Sequence, residues 1–339
     1  METLLDLSLT QCSQFACSIF DTEINLLAEE IDVLISEGFN ESSVPDQSGK
    51  CFIVTGANIG IGFEVTRVLA LRGARVILGC RDESKAEDAI TRIRRITSHV
   101  NLDILPIDLA DLVSIQDAAK HVEREVRLDG LINNAGVMAP PLLRTKQGFE
   151  LQFGVNHLGC YALTSLLLPK LSETNGSRVI VTSSVAHKGA SIVWDDIHAD
   201  QSYKRMERYA ASKLANALFF FELDRRLRAV ASGVTAVGCH PGIASTNLGR
   251  YMGPLQVLNP IAKIVLNSAA KGAWPALQAA TGNIQPGGYY GPTGLLGIRG
   301  ISGEVARSAD AQSPELASKL WELSVAATGI DPGLPPVTQ

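Results

Sequence analysis

Residues 51–62 read Cys-Phe-Ile-Val-Thr-Gly-Ala-Asn-Ile-Gly-Ile-Gly. The apolar run Cys51 to Thr55 predicts a buried strand, and the glycines that follow punctuate a turn before a helix-like pattern that continues to Leu71. A junction of this kind lets the backbone approach a pyrophosphate, whose charge then rests on free N–H groups at the helix N-terminus. Gly56, Asn58, Ile59, Gly60, Ile61 and Gly62 are the residues placed to build that cradle. A glycine-rich turn alone is a weak signal that a simple tight turn would also give, and the strand before it and the helix after it supply the weight.

Outward from this junction, from Gly49 on, β-rich runs alternate with helical patterns. The further runs are Arg75 to Gly79, Leu102 to Ile107, Gly130 to Asn133, Arg178 to Thr182, Val234 to Cys239 and, more weakly patterned, Gly288 to Tyr290. The alternation predicts an α/β fold, a Rossmann-type doubly wound parallel sheet of about seven strands with helices on both faces. Ligands in that architecture bind outside the carboxyl ends of the strands. One domain is expected over 46–339, with a C-terminal segment at 286–339. Before it, residues 1–45 form an acidic extension. Within the extension, Asp21 to Gly38 patterns as an amphipathic helix with Ile24, Leu27, Ile31, Leu34 and Ile35 on one face. That face suits either docking on the body of the protein or a subunit contact, and a homo-oligomer, dimer or tetramer, is the expected assembly.

Composition narrows the function classes. The chain has 339 residues, 46% hydrophobic and 19% charged, which fits a globular protein whose central elements are buried on both faces. A formal net charge of -5, with no basic patch, argues against a nucleic-acid partner. Six cysteines, Cys12, Cys17, Cys51, Cys80, Cys160 and Cys239, lack paired metal-ligand spacing and read as reduced thiols, which points to the cytoplasm. His157, His187 and His240 likewise show no metal spacing, and no metal is expected. The N-terminus carries no Lys or Arg before Lys50, so a signal peptide is not expected, and no apolar run is long enough for a transmembrane segment.

The strand ends carry the candidate chemistry. After the second run comes Gly79-Cys80-Arg81-Asp82. An arginine here suits the 2′-phosphate of NADP, whereas an acidic residue would take the ribose hydroxyl of NAD; Arg81 comes first and favours NADP, while Asp82 keeps NAD possible. Asp108, followed by Leu109, closes the third run, where it is placed to bind the adenine amino group or to cap the next helix. Tyr209 and Lys213 stand four apart in the helical stretch Arg208 to Arg226, so both project from one face. That spacing arises readily by chance. Its weight comes from Asn133-Asn134-Ala135-Gly136, Ser183-Ser184 and His240-Pro241-Gly242, each closing a predicted strand.

As a set, and in this order over roughly residues 49 to 250, these motifs resemble the short-chain dehydrogenase/reductase family. The resemblance implies that Tyr209 is the general acid/base, that Ser184 polarises the substrate oxygen, and that Lys213 holds the nicotinamide ribose while lowering the tyrosine pKa. It implies further that Asn156, in Val155-Asn156-His157, supports a proton relay to Lys213. Asn134, Ala135, Gly136, Pro241 and Gly242 would line the cofactor, and Thr246 would steady its carboxamide. The physics is consistent: moving a phenol from about 10 toward neutrality takes roughly 4 kcal/mol, and an ammonium about 4 Å away supplies that order at an effective dielectric of 20. Ser183 is the neighbour passed over for the serine role. Ile59 departs from the family pattern, which places a hydroxyl there. Cys80-Arg81-Asp82, Ser184-Val185-Ala186-His187 and the long gap containing Val193-Trp194-Asp195-Asp196-Ile197 look like the retinol-dehydrogenase-like branch, whose members act on apolar aldehydes, ketones and alcohols.

The expectation is therefore an NADP-dependent oxidoreductase acting on a carbonyl or alcohol of an apolar small molecule, retinoid- or steroid-like. The rival is a catalytically silent nucleotide-binding regulatory protein of the same fold, whose mark would be loss of Tyr209, Lys213 or Ser184; a sugar-nucleotide epimerase would prefer another glycine spacing. The apolar stretch around 248–285 predicts a lid over the nicotinamide, although ordinary helix packing would give the same pattern, and Gly287 to Gly300 is placed as the opposite wall.

Overall fold

The computed structural model describes residues 38–243, 267–294 and 297–337. Most of the acidic extension, Thr246 and the 248–266 part of the expected lid lie outside the described residues. Residues Phe39–Gln339 form one unit.

Eight strands form one sheet in the order β3-β2-β1-β4-β5-β6-β7-β8. They are β1 (Cys51–Thr55), β2 (Arg75–Cys80), β3 (Asn101–Pro106), β4 (Gly130–Asn133), β5 (Arg178–Thr182), β6 (Thr235–Cys239), β7 (Tyr289–Gly294) and β8 (Arg299–Glu304). The first seven run parallel, and β8 returns antiparallel to β7. The expected sheet is thus present with one strand more. β8, Arg-Gly-Ile-Ser-Gly-Glu, has too little β-branched content to show as a strand in sequence, and it forms because β7 offers it an edge to pair with.

Burial on both faces follows from strand alternation. Phe52 and Val54 of β1 enter one apolar cluster, and Cys51 and Ile53 enter the other. The first cluster is closed by α1 (Gly60–Leu71), α2 (Glu83–Arg94) and α6 (Ala269–Thr281). Opposite them lie α3 (Leu112–Val122), α4 (Gly159–Ser172), α5 (Arg205–Ala229) and α7 (Pro314–Thr328). The Ala-rich α6 buries Ala273, Ala276, Leu277, Ala279 and Ala280 in the first cluster, so this part of the expected lid is a layer helix instead. Small side chains there let the helix lie close to the sheet. Gly287 to Gly300 is the β7–β8 region. The C-terminal α7 presents Trp321 edge-on to Tyr161, with ring centroids 5.5 Å apart.

The order β2-β1-β4 reverses direction at β1, which opens a crevice between the carboxyl ends of β1 and β4. Two side chains close its floor. The Thr55 hydroxyl accepts the amides of Asn134 and Ala135, both at 3.0 Å, and the Asn134 side-chain amide donates to the Thr55 carbonyl at 2.9 Å. Gly62 completes the turn, because a Cβ there would lie 2.3 Å from the Gly56 carbonyl oxygen and 2.5 Å from Asn134 Nδ2. Asn134 is held by this clasp, and the Gly56 backbone is tied to β2 by its amide on the Gly79 carbonyl at 2.8 Å, so neither neighbour gives way easily. Gly62→Ala is expected to lower the unfolding free energy by roughly 2–3 kcal/mol, read as a reduced urea midpoint, and an unchanged midpoint contradicts the crowding.

Candidate active site

The described residues singled out for the site stand in the segments that follow β1 to β6, on the first turn of α1, on the turn leading into α4, and on α5. The cradle comes first. α1 begins after Ile59, whose side chain offers no capping hydrogen bond and stands 47% exposed. The first N–H groups of α1 therefore have no side-chain acceptor from their N-cap, which suits an anion at that helix end. Asn58 faces Cys80, its Oδ1 3.8 Å from the thiol.

At the end of β2, two neighbouring charges have separated tasks. Asp82 caps α2 by accepting the Lys85 amide and pairs with the Lys85 ammonium; these contacts hold its carboxyl below the usual range. Arg81 extends into solvent, its side chain 73% exposed and 3.9 Å from Asp108 at the nearest approach. Asp108 itself accepts the Ala110 amide at 2.9 Å, while Asp111 caps α3. Leu109 is buried beneath the same edge.

Tyr209 and Lys213 are one turn apart on α5, 5% and 4% exposed. The Lys213 ammonium sits 5.9 Å from the Tyr209 ring centroid and donates to the Thr182 carbonyl at 3.1 Å. A Cβ at position 136 would lie 3.1 Å from Asn156 Oδ1 and in ordinary contact, 3.5 Å, with that ammonium, so the room Gly136 leaves is chiefly for the asparagine. Burial holds the Lys213 ammonium down to about 8 and pushes the Tyr209 phenol above its ordinary value, with the Ser184 hydroxyl pulling the phenol back. Among the protein's own groups, then, burial is the largest influence on the phenol and raises it.

Ser184 caps the short turn Val185–His187, its hydroxyl accepting the Ala186 amide at 3.2 Å. Ser183 turns away and donates to the Lys213 carbonyl at 2.7 Å, which ties β5 to α5. Asn156 lies on a π-helical turn, Gly154–Leu158, leading into α4. Its side-chain amide grips Val137 through both backbone groups, at 2.7 and 2.9 Å, and donates to Ser212 at 2.9 Å. Pro241 and Gly242 follow β6.

Sequence patterning did not single out several supporting groups. Thr55, Thr182 and Val137 act through hydroxyl or backbone atoms, which leave little mark in a sequence. A second group, Arg208, directly precedes Tyr209 and is spent on the long loop after Ser184. Its guanidinium meets the Asp196 carboxylate at 2.6 Å, with both side chains under 10% exposed, and also donates to the Ser202 carbonyl at 2.8 Å. The same carboxylate accepts the amides of Asp200, Gln201 and Ser202. The inserted loop is thereby fastened beside the tyrosine.

A doubly wound sheet with a glycine cradle at its switch point, and a buried Tyr–Lys pair with a serine at the neighbouring strand ends, defines a nicotinamide-dependent oxidoreductase. The chain belongs to the short chain dehydrogenase family, whose sequence profile matches residues 50–254. It is similar to retinol dehydrogenase 13 of Homo sapiens, 40% identical over 312 residues that cover 88% of this chain and 91% of that protein. Retinol dehydrogenase 11 of Homo sapiens is 36% identical over 309 residues, covering 90% of this chain and 93% of that one. The crystal structure of an uncharacterized protein from Mycobacterium paratuberculosis superposes with a TM-score of 0.74 at 36% identity, covering 88% of this chain and 99% of the other. The retinol-dehydrogenase-like branch expected from sequence is therefore the branch to which this NAD(P)-dependent alcohol/carbonyl oxidoreductase belongs. Among the described residues, no helix is long and apolar enough to cross a membrane.

The buried ammonium has a measurable consequence for stability. Its folded-state pKa of about 8 lies below the unfolded value of 10.5, so below pH 8 the folded state carries the full penalty, on the order of 3 kcal/mol. Between the two values the unfolded chain binds more protons, and stability rises with pH. Lys213→Met is expected to raise the urea midpoint at pH 7 and to lose most of that advantage by about pH 10. A variant less stable than the parent at pH 7 would contradict this.

Proposed function

We propose that the protein is an NADP-dependent oxidoreductase that moves a hydride between the nicotinamide and a carbonyl or alcohol carbon of an apolar, retinoid-like small molecule. The single observation that carries the cofactor choice is the division of labour after β2: Asp82 is committed to the α2 cap and Lys85, whereas Arg81 stays exposed, with only a 3.9 Å ion pair to Asp108, and is placed to meet a 2′-phosphate. When bound, the nicotinamide supplies or takes up the hydride. Gly56, Asn58, Ile59, Gly60, Ile61 and Gly62 would hold the pyrophosphate, Asp108 and Leu109 the adenine, and Asn134, Ala135, Gly136, Pro241, Gly242 and Thr246 the remainder.

In this proposal the protein's own groups handle the proton. Ser184 donates to the substrate oxygen, and the Tyr209 hydroxyl delivers its proton there as the alkoxide forms, or removes it in the oxidative direction. Lys213 binds the nicotinamide ribose, and Asn156 orders the path by which the phenol regains its proton. Burial raises the Tyr209 phenol, which favours its protonated, donating form in the reductive direction.

An apolar substrate is supported by the loops around the crevice. Leu142, Leu143, Val193, Met206 and Ile243 stand 42–45% exposed on segments that follow β4, β5 and β6. Arg144 joins two of these segments through the His198 carbonyl and the Asp200 carboxylate. The curated relatives carry the name retinol dehydrogenase, which agrees with this choice. A cytoplasmic location belongs to the same proposal, supported by the free, buried thiols of Cys51, Cys80, Cys160 and Cys239 among the described residues.

Fluorescence titration with NADPH and NADH tests the cofactor, and NADPH oxidation with all-trans-retinal and nonanal tests the reaction. NADPH should bind at least about tenfold more tightly than NADH, and Arg81→Ala should remove most of that preference, a difference of about 1.4 kcal/mol. Equal binding of the two cofactors would contradict the proposal. Tyr209→Phe should bind NADPH normally with turnover reduced by about a hundredfold or more; retained turnover removes the tyrosine from its role.

A further inference from the structure

Two imidazoles that the proposed chemistry does not use lie buried behind the site, His187 at 1% and His240 at 2% exposure. His187 ends the turn that Ser184 caps. Its Nδ1 is 2.6 Å from the Ser184 carbonyl oxygen, and its Nε2 is 3.2 Å from the Ser308 amide nitrogen, beyond β8. A carbonyl only accepts and an amide only donates, so Nδ1 carries the proton and Nε2 is bare. His240 follows β6 in the opposite tautomer. Its Nδ1 accepts the Gly242 amide at 3.1 Å, which leaves the proton on Nε2. That Nε2 lies over Gly291, where a Cβ would come within 2.1 Å.

Both rings lean on one aromatic residue. His187 meets Tyr289 edge-on at 5.5 Å between centroids, His240 meets it at 5.3 Å, and Tyr289 is stacked on Phe220 at 5.7 Å. Protonating either histidine would set an N–H against a backbone N–H. Burial already holds both below the usual histidine range, and the Lys188 charge pushes the same way. The pair is therefore held neutral by its partners and unsuited to proton transfer. What it does instead is hold two backbone atoms that follow the neighbouring strands β5 and β6, the Ser184 carbonyl and the Gly242 amide, through rings that both rest on Tyr289.

We propose that His187 and His240 are positioning residues: braced on Tyr289, they fix the Ser184 turn against the Pro241–Gly242 turn and so set the distance between the substrate oxygen and the nicotinamide. This rests on the roles proposed above for Ser184 and Gly242. The Ser184 hydroxyl is oriented by a turn only three residues long, Val185–His187, so release of its far end moves the hydroxyl itself. A misplacement of about 1 Å is enough to reduce turnover by the order of a hundredfold.

Amide side chains separate the two nitrogens of each ring. Asn puts a donor where His187 Nδ1 is and nothing at Nε2, whereas Gln supplies an acceptor at Nε2 and leaves the Ser184 carbonyl without its donor. With nonanal and all-trans-retinal as probe carbonyls, His187→Asn should keep kcat within about threefold and His187→Gln should lose about tenfold or more, both with NADPH Kd within about twofold of the parent. At the other ring, His240→Asn can still accept the Gly242 amide and should keep NADPH affinity, while His240→Gln should weaken it by about tenfold. Asn and Gln variants that fall together at either position, in step with their thermal midpoints, overturn the proposal, as do variants that all behave as the parent. If a His187 variant fails to fold, the His240 pair read by NADPH titration decides. Ser184→Ala separates the two claims: retained turnover there defeats the serine's role, whereas an inactive Ser184→Ala beside equal Asn and Gln variants defeats the histidines' role alone.

Discussion

Tyr209 and Lys213 leave α5 one turn apart and enter the protein at the carboxyl edge of the sheet, where each is more than nine-tenths buried. Burying an ionisable pair of this kind opposes folding, because water solvates a charge better than any protein interior does. The surroundings offset part of that penalty with backbone acceptors. The Thr182 carbonyl receives the ammonium and, at 3.0 Å, the side-chain amide of Asn216. Ser183 holds the α5 backbone at Lys213, and Ser212, the residue between the pair, is held by Asn156. The site is thus a place where stability is given up to keep one phenol and one amine dry and in register.

The clasp at the switch point and the loop beside the tyrosine serve the same end on opposite sides. Thr55 and Asn134 fix the gap between β1 and β4, and Gly62 allows the helix to begin against that gap. On the other side, the buried Arg208–Asp196 pair anchors the long loop next to Tyr209. A buried pair of this kind contributes little net stability over apolar residues but fixes geometry, since breaking it leaves a charge with no partner. The long loop is therefore held in one arrangement beside Tyr209.

Much of this was legible in the sequence. Gly130–Asn133 and Arg178–Thr182 are the strands their apolar, β-branched runs predict, and the Tyr209–Lys213 spacing places both on one face of a helix that exists. What escaped did so for physical reasons. β8 forms only because β7 offers it an edge, and propensity does not record a tertiary partner. The aliphatics of Ala269–Thr281 suit a lid or a layer helix equally well, and packing against the sheet selected the latter. Asp82 and Arg81 are adjacent in sequence, and only the capping geometry shows that the carboxylate is already engaged.

The phenol's ionisation remains the point on which the chemistry turns. Burial drives Tyr209 up, so the proposed role requires an opposing contribution, which the positive ring of a bound oxidised nicotinamide would supply. Titration of Tyr209 by NMR, with tyrosine labelled at Cζ and the resonance assigned through the Phe variant, measures this directly. The account predicts a value above the ordinary value of about 10 in the free protein and a fall of at least about one unit when NADP+ is bound. A free-protein value at or below the ordinary one, or no fall with NADP+, would contradict it.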